Sequence, residues 1–247
     1  MKLGIYGYGK MGKAINNLID QFDEIDSVEH YSLESKDLES FILNNDVILD
    51  FSTAQATDIL LDYMINKNIF PKSILIGTTA LSDKAYANMK LLSEKSAILY
   101  SSNVSIGANI QAFLANKLAQ IFGNDYEIDI IDLHHSEKKD APSGTAFMIA
   151  DSINKGIKSK TGNIYKIVTD RSANPERKKQ EISICSVRAG SIPGTHEVLF
   201  SGKYDSIKLT HRVEKRELLA NAAIKVGIWL SSQAKGIYTM NDFIKFD

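Results

Sequence analysis

The 247-residue sequence predicts an α/β fold in two parts. Three observations predict it. The first hundred residues alternate short apolar runs with amphipathic stretches, and a glycine-rich turn follows the first run directly. Beyond about residue 104 the pattern changes to a long helix followed by several alternating, strand-like runs. The early alternation is that of βα units around a parallel sheet, and the later pattern is that of an α+β mixed-sheet domain.

Leu3 to Tyr6 is the first strand. Met11, Ala14, Ile15, Leu18, Ile19 and Phe22 then recur at three- and four-residue intervals, which predicts one helix with a buried face. SVEHYSL is a weaker second strand. DVILDFS, KSILIGTT and AILYSSN are buried strands, separated by the helices ATDILLDYMINKN and DKAYANMKLLSEKS. These three strands end in small polar clusters, Ser52-Thr53, Thr78-Thr79 and Ser101-Ser102. In an open parallel sheet such ends line the ligand crevice, although turn chemistry alone accounts for any single cluster.

A long helix starts near Ile106, then the strand YEIDIIDL, a polar loop, and a helix beginning at about Thr145. EISICSV, THEVLF and SIKLTHRV follow as an antiparallel or mixed meander with one covered face, and DRSANPERKKQ (170–180) is polar enough for a mobile loop. The apolar helix RELLANAAIKVGIWLSSQ closes the chain and fits either part. We divide the chain into residues 1–103 with 217–247, and 104–216.

With 29 basic and 30 acidic side chains, no broad electrostatic footprint for nucleic acid or a membrane surface is present. Small-molecule chemistry is favoured. No apolar run approaches the roughly 20 residues of a membrane helix, and the N-terminus shows no export pattern, so a cytoplasmic protein is expected. Cys185 is the only cysteine, and its alternating strand context predicts a packed sheet residue.

GYGKMG, residues 7–12, is a GxGxxG between a strand and a helix. Gly7 permits the tight turn, Gly9 admits a pyrophosphate close to the backbone, and Gly12 allows close helix packing. This context predicts dinucleotide binding, with amides at the helix start as donors. The ribose is read at the end of the second strand. There Glu34 would favour NADH, whereas Ser35 or Lys36 would favour NADPH, and the residues leave both open.

LHHSEKKDAPSGTA, residues 133–146, gathers two of the five histidines and one of the four prolines into one strand-to-helix loop. Ser143-Gly144-Thr145 forms the helix entrance, which suits a carboxylate, and Lys138 adds a positive charge nearby. An imidazole delivers protons near neutrality, so His134 and His135 at the strand end place an acid beside an anion clamp. Asp140 and Ser143 are positioned to cap the helix. Adjacent histidines on extended chain point apart and no third His or Cys has suitable spacing, so no metal site is expected. His196 and His211 read as facial sheet residues. On residues alone, a nicotinamide-dependent oxidoreductase of a small acid and a non-catalytic nucleotide sensor both stay open.

HHSEKKDAPSGTA resembles the HHxxKxDAPSGTA signature of the dihydrodipicolinate reductase family. GYGKMG, DFS (50–52), GTT (77–79), SSNVSIGAN (101–109), VRAGSIPGTHEVLF (187–200) and a late ANAA helix extend the resemblance over nearly the whole chain. It implies a Rossmann-like parallel-sheet nucleotide domain plus a mixed-sheet substrate and oligomerisation domain that builds a homotetramer. It also implies reduction of a cyclic imine dicarboxylate by NADH or NADPH in lysine and diaminopimelate synthesis. By position, His134 resembles the proton donor and acceptor and Lys138 a second proton donor, while His135, Gly144 and Thr145 resemble substrate-binding residues. Gly7, Tyr8, Gly9, Lys10, Met11, Gly12, Gly77, Thr78, Thr79, Ser101, Ser102, Asn103 and Val104 match cofactor-contacting segments. Many members carry a longer GxxGRMG loop, and often Ala-Ala-Asn-Phe where this chain has Ser-Ser-Asn-Val.

Overall fold

The computed structural model describes residues 1–32, 37–172, 175–215 and 217–245. The chain begins β1 (Lys2–Tyr6), α1 (Lys10–Asn16), β2 (Ser27–Tyr31), α2 (Leu38–Asn44), β3 (Val47–Asp50), α3 (Ala54–Lys67), β4 (Ser73–Ile76), α4 (Asp83–Leu92) and β5 (Ala97–Tyr100). It continues through α5 (Ile106–Phe122), β6 (Glu127–His134), α6 (Gly144–Thr161), β7 (Lys166–Val168), β8 (Glu181–Arg188), β9 (Thr195–Ser201) and β10 (Ser206–Arg212). It ends with α7 (Leu218–Ser231), β11 (Gly236–Tyr238) and α8 (Met240–Ile244). Two compact units result, Met1–Ile106 with Glu217–Asp247, and Gly107–Arg216.

In the first unit six parallel strands lie in the order β11-β5-β4-β3-β1-β2. β3 and β4 are buried throughout because both faces of the sheet are covered. Leu3, Ile5, Val47, Leu49, Leu75 and Leu99 point to one core, shared with α7. Ile48, Ile74, Ile76 and Ile98 point to the other, shared with α3 and α4. The closing helix thus belongs to this unit, where Gly227 comes so near β3 that a Cβ there would lie 2.8 Å from Leu49. Chain order reverses at β1, since β2 lies on one side and β3 on the other. That switch point opens a crevice beyond the strand ends.

The helix expected from Met11 to Phe22 is interrupted. α1 stops at Asn16, and a 3-10 turn at Ile19–Gln21 continues the buried face. Two consecutive asparagines, Asn16 and Asn17, stand at the break, and asparagine is a weak helix former. The short elements α2, β7, β11 and α8 carry too little apolar periodicity to stand out in the sequence.

The second unit orders its strands β10-β9-β6-β8-β7. The expected meander is therefore corrected: only β9 and β10 form a consecutive antiparallel pair, and β6 separates β8 from β9. β6 is parallel to β8 and antiparallel to β9. Ile128 and Ile130 face Ala112, Ala115, Ile149 and Ile153 of α5 and α6 in one core. Asp132 and His134 continue that face, because side chains two apart point the same way. The opposite face, with Ile131, Leu133, Cys185, Val187 and Leu199, is half-buried or exposed. Cys185 is exposed, contrary to expectation, because it alternates with the buried Ile184 and points away from the helices. In the segment 170–180, Arg171 pairs with Glu181 and Arg177 with Asp129, which ties its described residues to the sheet.

Candidate active site

The crevice of the first unit has a volume of about 520 Å³ and is lined by Gly7, Tyr8, Gly9, Lys13, Ser32 and Ser52, among others. Gly7 has φ +95°, and its amide donates to the Tyr31 carbonyl at 3.0 Å. A Cβ at Gly7 would stand 2.7 Å from the Ser52 backbone, so the turn closes against the end of β3 only with glycine. Nothing lies within 4 Å of a Cβ at Gly9, which leaves the loop backbone open to a ligand. This cradle fits the pyrophosphate of a dinucleotide. Tyr8 packs its ring on His30 at 4.3 Å, Lys10 is exposed, and Met11 packs toward the core.

Gly77 accommodates Phe51, whose ring would lie 2.1 Å from a Cβ. Thr78 is buried and donates to Asp50, while Thr79 is exposed. Ser101, Asn103 and Ser105 bond among themselves in a turn after β5, with Ser102 exposed beside them. Val104 is a core residue, 3% exposed. Glu34, Ser35 and Lys36 lie outside the described residues. Beneath the crevice, fully buried Asp50 accepts from the Ser52 amide and hydroxyl at 3.0 and 2.6 Å, Thr78 at 3.1 Å and Thr57 at 2.5 Å. Burial raises the Asp50 carboxyl pKa, and the Ser52, Thr57 and Thr78 hydrogen bonds offset this only in part. A charged residue inside the apolar run VILDF was the available sequence signal for Asp50.

In the second unit, Asp132 is fully buried and its two oxygens face different partners. Oδ1 accepts from the Ser143 hydroxyl at 2.7 Å and lies 3.0 Å from His134 Nδ1 and 3.2 Å from His196 Nε2. Oδ2 accepts from the Ser143 amide at 2.9 Å and Arg188 Nη2 at 3.0 Å. The His134 contact lies off the N–H axis and falls short of an aligned hydrogen bond. Burial pushes the Asp132 carboxyl pKa up, but the donors from His134, His196 and Ser143 outweigh it and hold the group far below the usual carboxylate range. Arg188 also donates to the Asp132 and Asp140 carbonyls, which fastens the loop to β6.

His196 enters through cross-strand register, opposite Asp132 on β9. The spacing rule that found no third ligand could not see this, and the Asp132, His134 and His196 ligand atoms lie within 4.8 Å of one another. Arg188 and Ser143 already occupy the carboxylate, and a metal cation would meet the guanidinium bound to that same group. The cluster is a charge network whose carboxylate is hydrogen-bonded by Ser143 and Arg188.

Lys138 pairs with Asp140 at 2.8 Å. Asp140 is therefore not the helix cap: Ser143 alone caps α6, accepting from the Ala146 amide. Ser143 is also turned inward, 2% exposed, with its amide and hydroxyl committed to Asp132. Gly144 is exposed at the entrance, where nothing lies within 4 Å of a Cβ, and Thr145 is half-buried beside it. His135 Nδ1 is buried without a hydrogen-bond partner.

Both halves of the chain match family models, residues 1–104 the dihydrodipicolinate reductase N-terminus and 107–244 its C-terminus. The chain belongs to the dihydrodipicolinate reductase family. It is 37% identical over 248 residues to the 4-hydroxy-tetrahydrodipicolinate reductase of Rickettsia canadensis, covering 99% of each chain. It is also 37% identical over 245 residues to that of Campylobacter jejuni, again with 99% coverage of each. The family's fold is seen in a dipicolinate-bound dihydrodipicolinate reductase from a Paenisporosarcina species, at TM-score 0.74 and 22% identity over 99% of both chains. The myo-inositol 2-dehydrogenase of Lactobacillus plantarum has a TM-score of 0.58 at 12% identity, covering 99% of this chain and 93% of its own. Among the described residues no helix is long and apolar enough to cross a membrane.

Proposed function

We propose that the chain reduces 4-hydroxy-tetrahydrodipicolinate to tetrahydrodipicolinate with NADH or NADPH in lysine and diaminopimelate synthesis. One proton is consumed, and water and the oxidised nicotinamide are released. The observation that carries this is His134 on the buried Asp132, beside the entrance of α6, in a chain whose two halves both match the reductase family.

The first unit holds the dinucleotide at Gly7, Gly9 and the ends of β1 and β3. Bound reduced nicotinamide supplies a hydride. His134 supplies a proton to the negative character that develops on the conjugated imine, and Lys138, held by Asp140, is the second donor. His135, with its unpartnered nitrogen, and the Gly144-Thr145 entrance of the eighteen-residue α6 hold a substrate carboxylate. Lys13 lines the cofactor crevice and offers a charge to a 2′-phosphate, which supports use of NADPH as well as NADH. The apolar sheet face of the second unit, half-buried at Ile131, Leu133 and Leu199 and exposed at Val187, supports assembly into a homotetramer.

The test follows NAD(P)H absorbance with enzymatically generated substrate. Consumption that depends on the dipicolinate precursor is expected, with competition by 2,6-pyridinedicarboxylate. Cofactor binding without precursor-dependent turnover would replace this function with nucleotide sensing, and a monomer by light scattering would remove the tetramer.

A further inference from the structure

The proposed reaction uses His134 and Lys138 but gives no task to Asp132, the Ser143 hydroxyl or His196, all buried. Their partners divide by oxygen. Oδ1 faces the two imidazoles and the Ser143 hydroxyl, while Oδ2 faces the first amide of the α6 entrance, a guanidinium and, at 3.4 Å, the Ser186 hydroxyl. Resting on the reductase function above, we propose that Asp132 is the positioning residue of this site: the charge on Oδ1, 3.0 Å from Nδ1 though off its N–H axis, turns the His134 ring so that Nε2 delivers the proton, and Oδ2 fixes the α6 entrance that receives the substrate carboxylate.

An imidazole has two nitrogens, and the one that faces a carboxylate retains its hydrogen. Nε2 is then the nitrogen left for the substrate. In the transfer the Nε2–H bond of the imidazolium breaks, the proton passes to the substrate, and the neutral ring keeps Nδ1–H toward Asp132 until water returns a proton to Nε2. Two neighbours enforce the orientation. His196 stands edge-on to the His134 ring, with centroids 5.2 Å apart and planes at 68°, and so hinders rotation of the ring. Gly194 has no side chain, and a Cβ there would lie 3.0 Å from His134 Nε2 and 3.3 Å from Cδ2. A side chain at position 194 would crowd the Nε2 edge of the ring. One carboxylate thereby sets both the proton donor and the anion clamp to a common frame, the preorganisation that proton transfer to a bound substrate requires.

The test uses the full-length enzyme with Asp132→Asn, Asp132→Glu and Gly194→Ala. Long-range proton–nitrogen NMR of the His134 ring should show the Nδ1–H tautomer in the unaltered enzyme and its loss in Asp132→Asn. Because Asn retains an acceptor for Ser143, kcat should fall at least about tenfold while KM changes by less than about threefold, part of the range ascribed to a positioned acid. Asp132→Glu should restore the tautomer and most of kcat. Gly194→Ala keeps every Asp132 contact and should lower kcat with the tautomer unchanged. An Nε2–H tautomer in the unaltered enzyme, or Asp132→Asn turnover within about twofold of it, would overturn the proposal. If Asp132→Asn does not fold, the tautomer of the unaltered enzyme and the Gly194→Ala kinetics decide. If the enzyme reduces no substrate, the reductase function fails by itself, while the tautomer still decides whether Asp132 orients His134.

Discussion

Asp50 closes β3 in the first unit and Asp132 lies near the end of β6 in the second, and both side chains are fully buried. Their partners differ in kind. Asp50 accepts only from an amide and neutral hydroxyls, whereas Asp132 is surrounded by an arginine, two histidines and two serines. Burial wins at Asp50 and raises its pKa; at Asp132 the donors win and lower it. A buried carboxylate among hydroxyls braces a polar crevice wall, while one beside a guanidinium and two imidazoles keeps its charge. The two units use the same residue type for different tasks because of what surrounds it.

The largest expected effect breaks the charged network. Asp132→Asn leaves the partly buried Arg188 without its counter-charge and should cost about 3 kcal/mol of stability at pH 7. A folded pKa below the unfolded value contributes stability above the unfolded pKa, near 3.9, which is lost as pH falls. The penalty should therefore shrink below about pH 4, as urea titrations at several pH values would reveal. A penalty independent of pH would mean that the Asp132 charge is not what the network stabilises. Next in size, His134→Ala or Lys138→Ala should lower kcat by about 100-fold or more with the fold retained by circular dichroism. Near-normal turnover in both variants would remove the proton-donor roles from the second unit.

The first unit's sheet was legible because its buried strands are continuous apolar runs and its glycine loop sits between a strand and a helix. The second unit's sheet order was not, because β6, β8 and β9 read alike and strand pairing is a long-range choice. The same limit hid His196: its place opposite Asp132 depends on β9 lying beside β6, which no spacing along the chain expresses. His134, Lys138 and the Gly144-Thr145 entrance lie together because one loop carries them, and that proximity is legible in the sequence. The inward turn of Ser143 to Asp132 is not, since sequence shows a hydroxyl at a helix start but not which way it turns. Nor is the place of Lys13 on the crevice wall, because an exposed helical lysine carries no signal of its own.

Asp50→Asn sharpens the contrast with a smaller effect of opposite pH dependence. The side-chain oxygen of Asn can take the three donors on Oδ1, and its amide can face the Thr57 hydroxyl, which can turn to accept. A carboxyl whose folded pKa is raised favours folding at low pH, and that contribution fades as pH rises through the folded value. Asn mimics the protonated form. The variant should therefore stay within about 1 kcal/mol of the parent at pH 7 and gain relative to it as pH rises from acid toward neutral. A loss as large as that of Asp132→Asn would erase the distinction between the two carboxylates.

The smallest effect tests whether the crevice of the first unit distinguishes cofactors by charge. Lys13 is exposed and lines that crevice near Ser32 at the end of β2. A 2′-phosphate carries charge that a ribose hydroxyl lacks, so removing an exposed lysine should weaken NADPH while leaving NADH nearly unchanged. For Lys13→Ala a rise of about fivefold in the NADPH Kd is expected, the upper range for an exposed ion pair, and added salt should reduce the difference. Fluorescence titration of both cofactors against parent and variant measures it. Equal weakening of the two would mean that Lys13 contacts a feature they share, such as the pyrophosphate above Gly9, and would leave the discrimination to residues beyond β2.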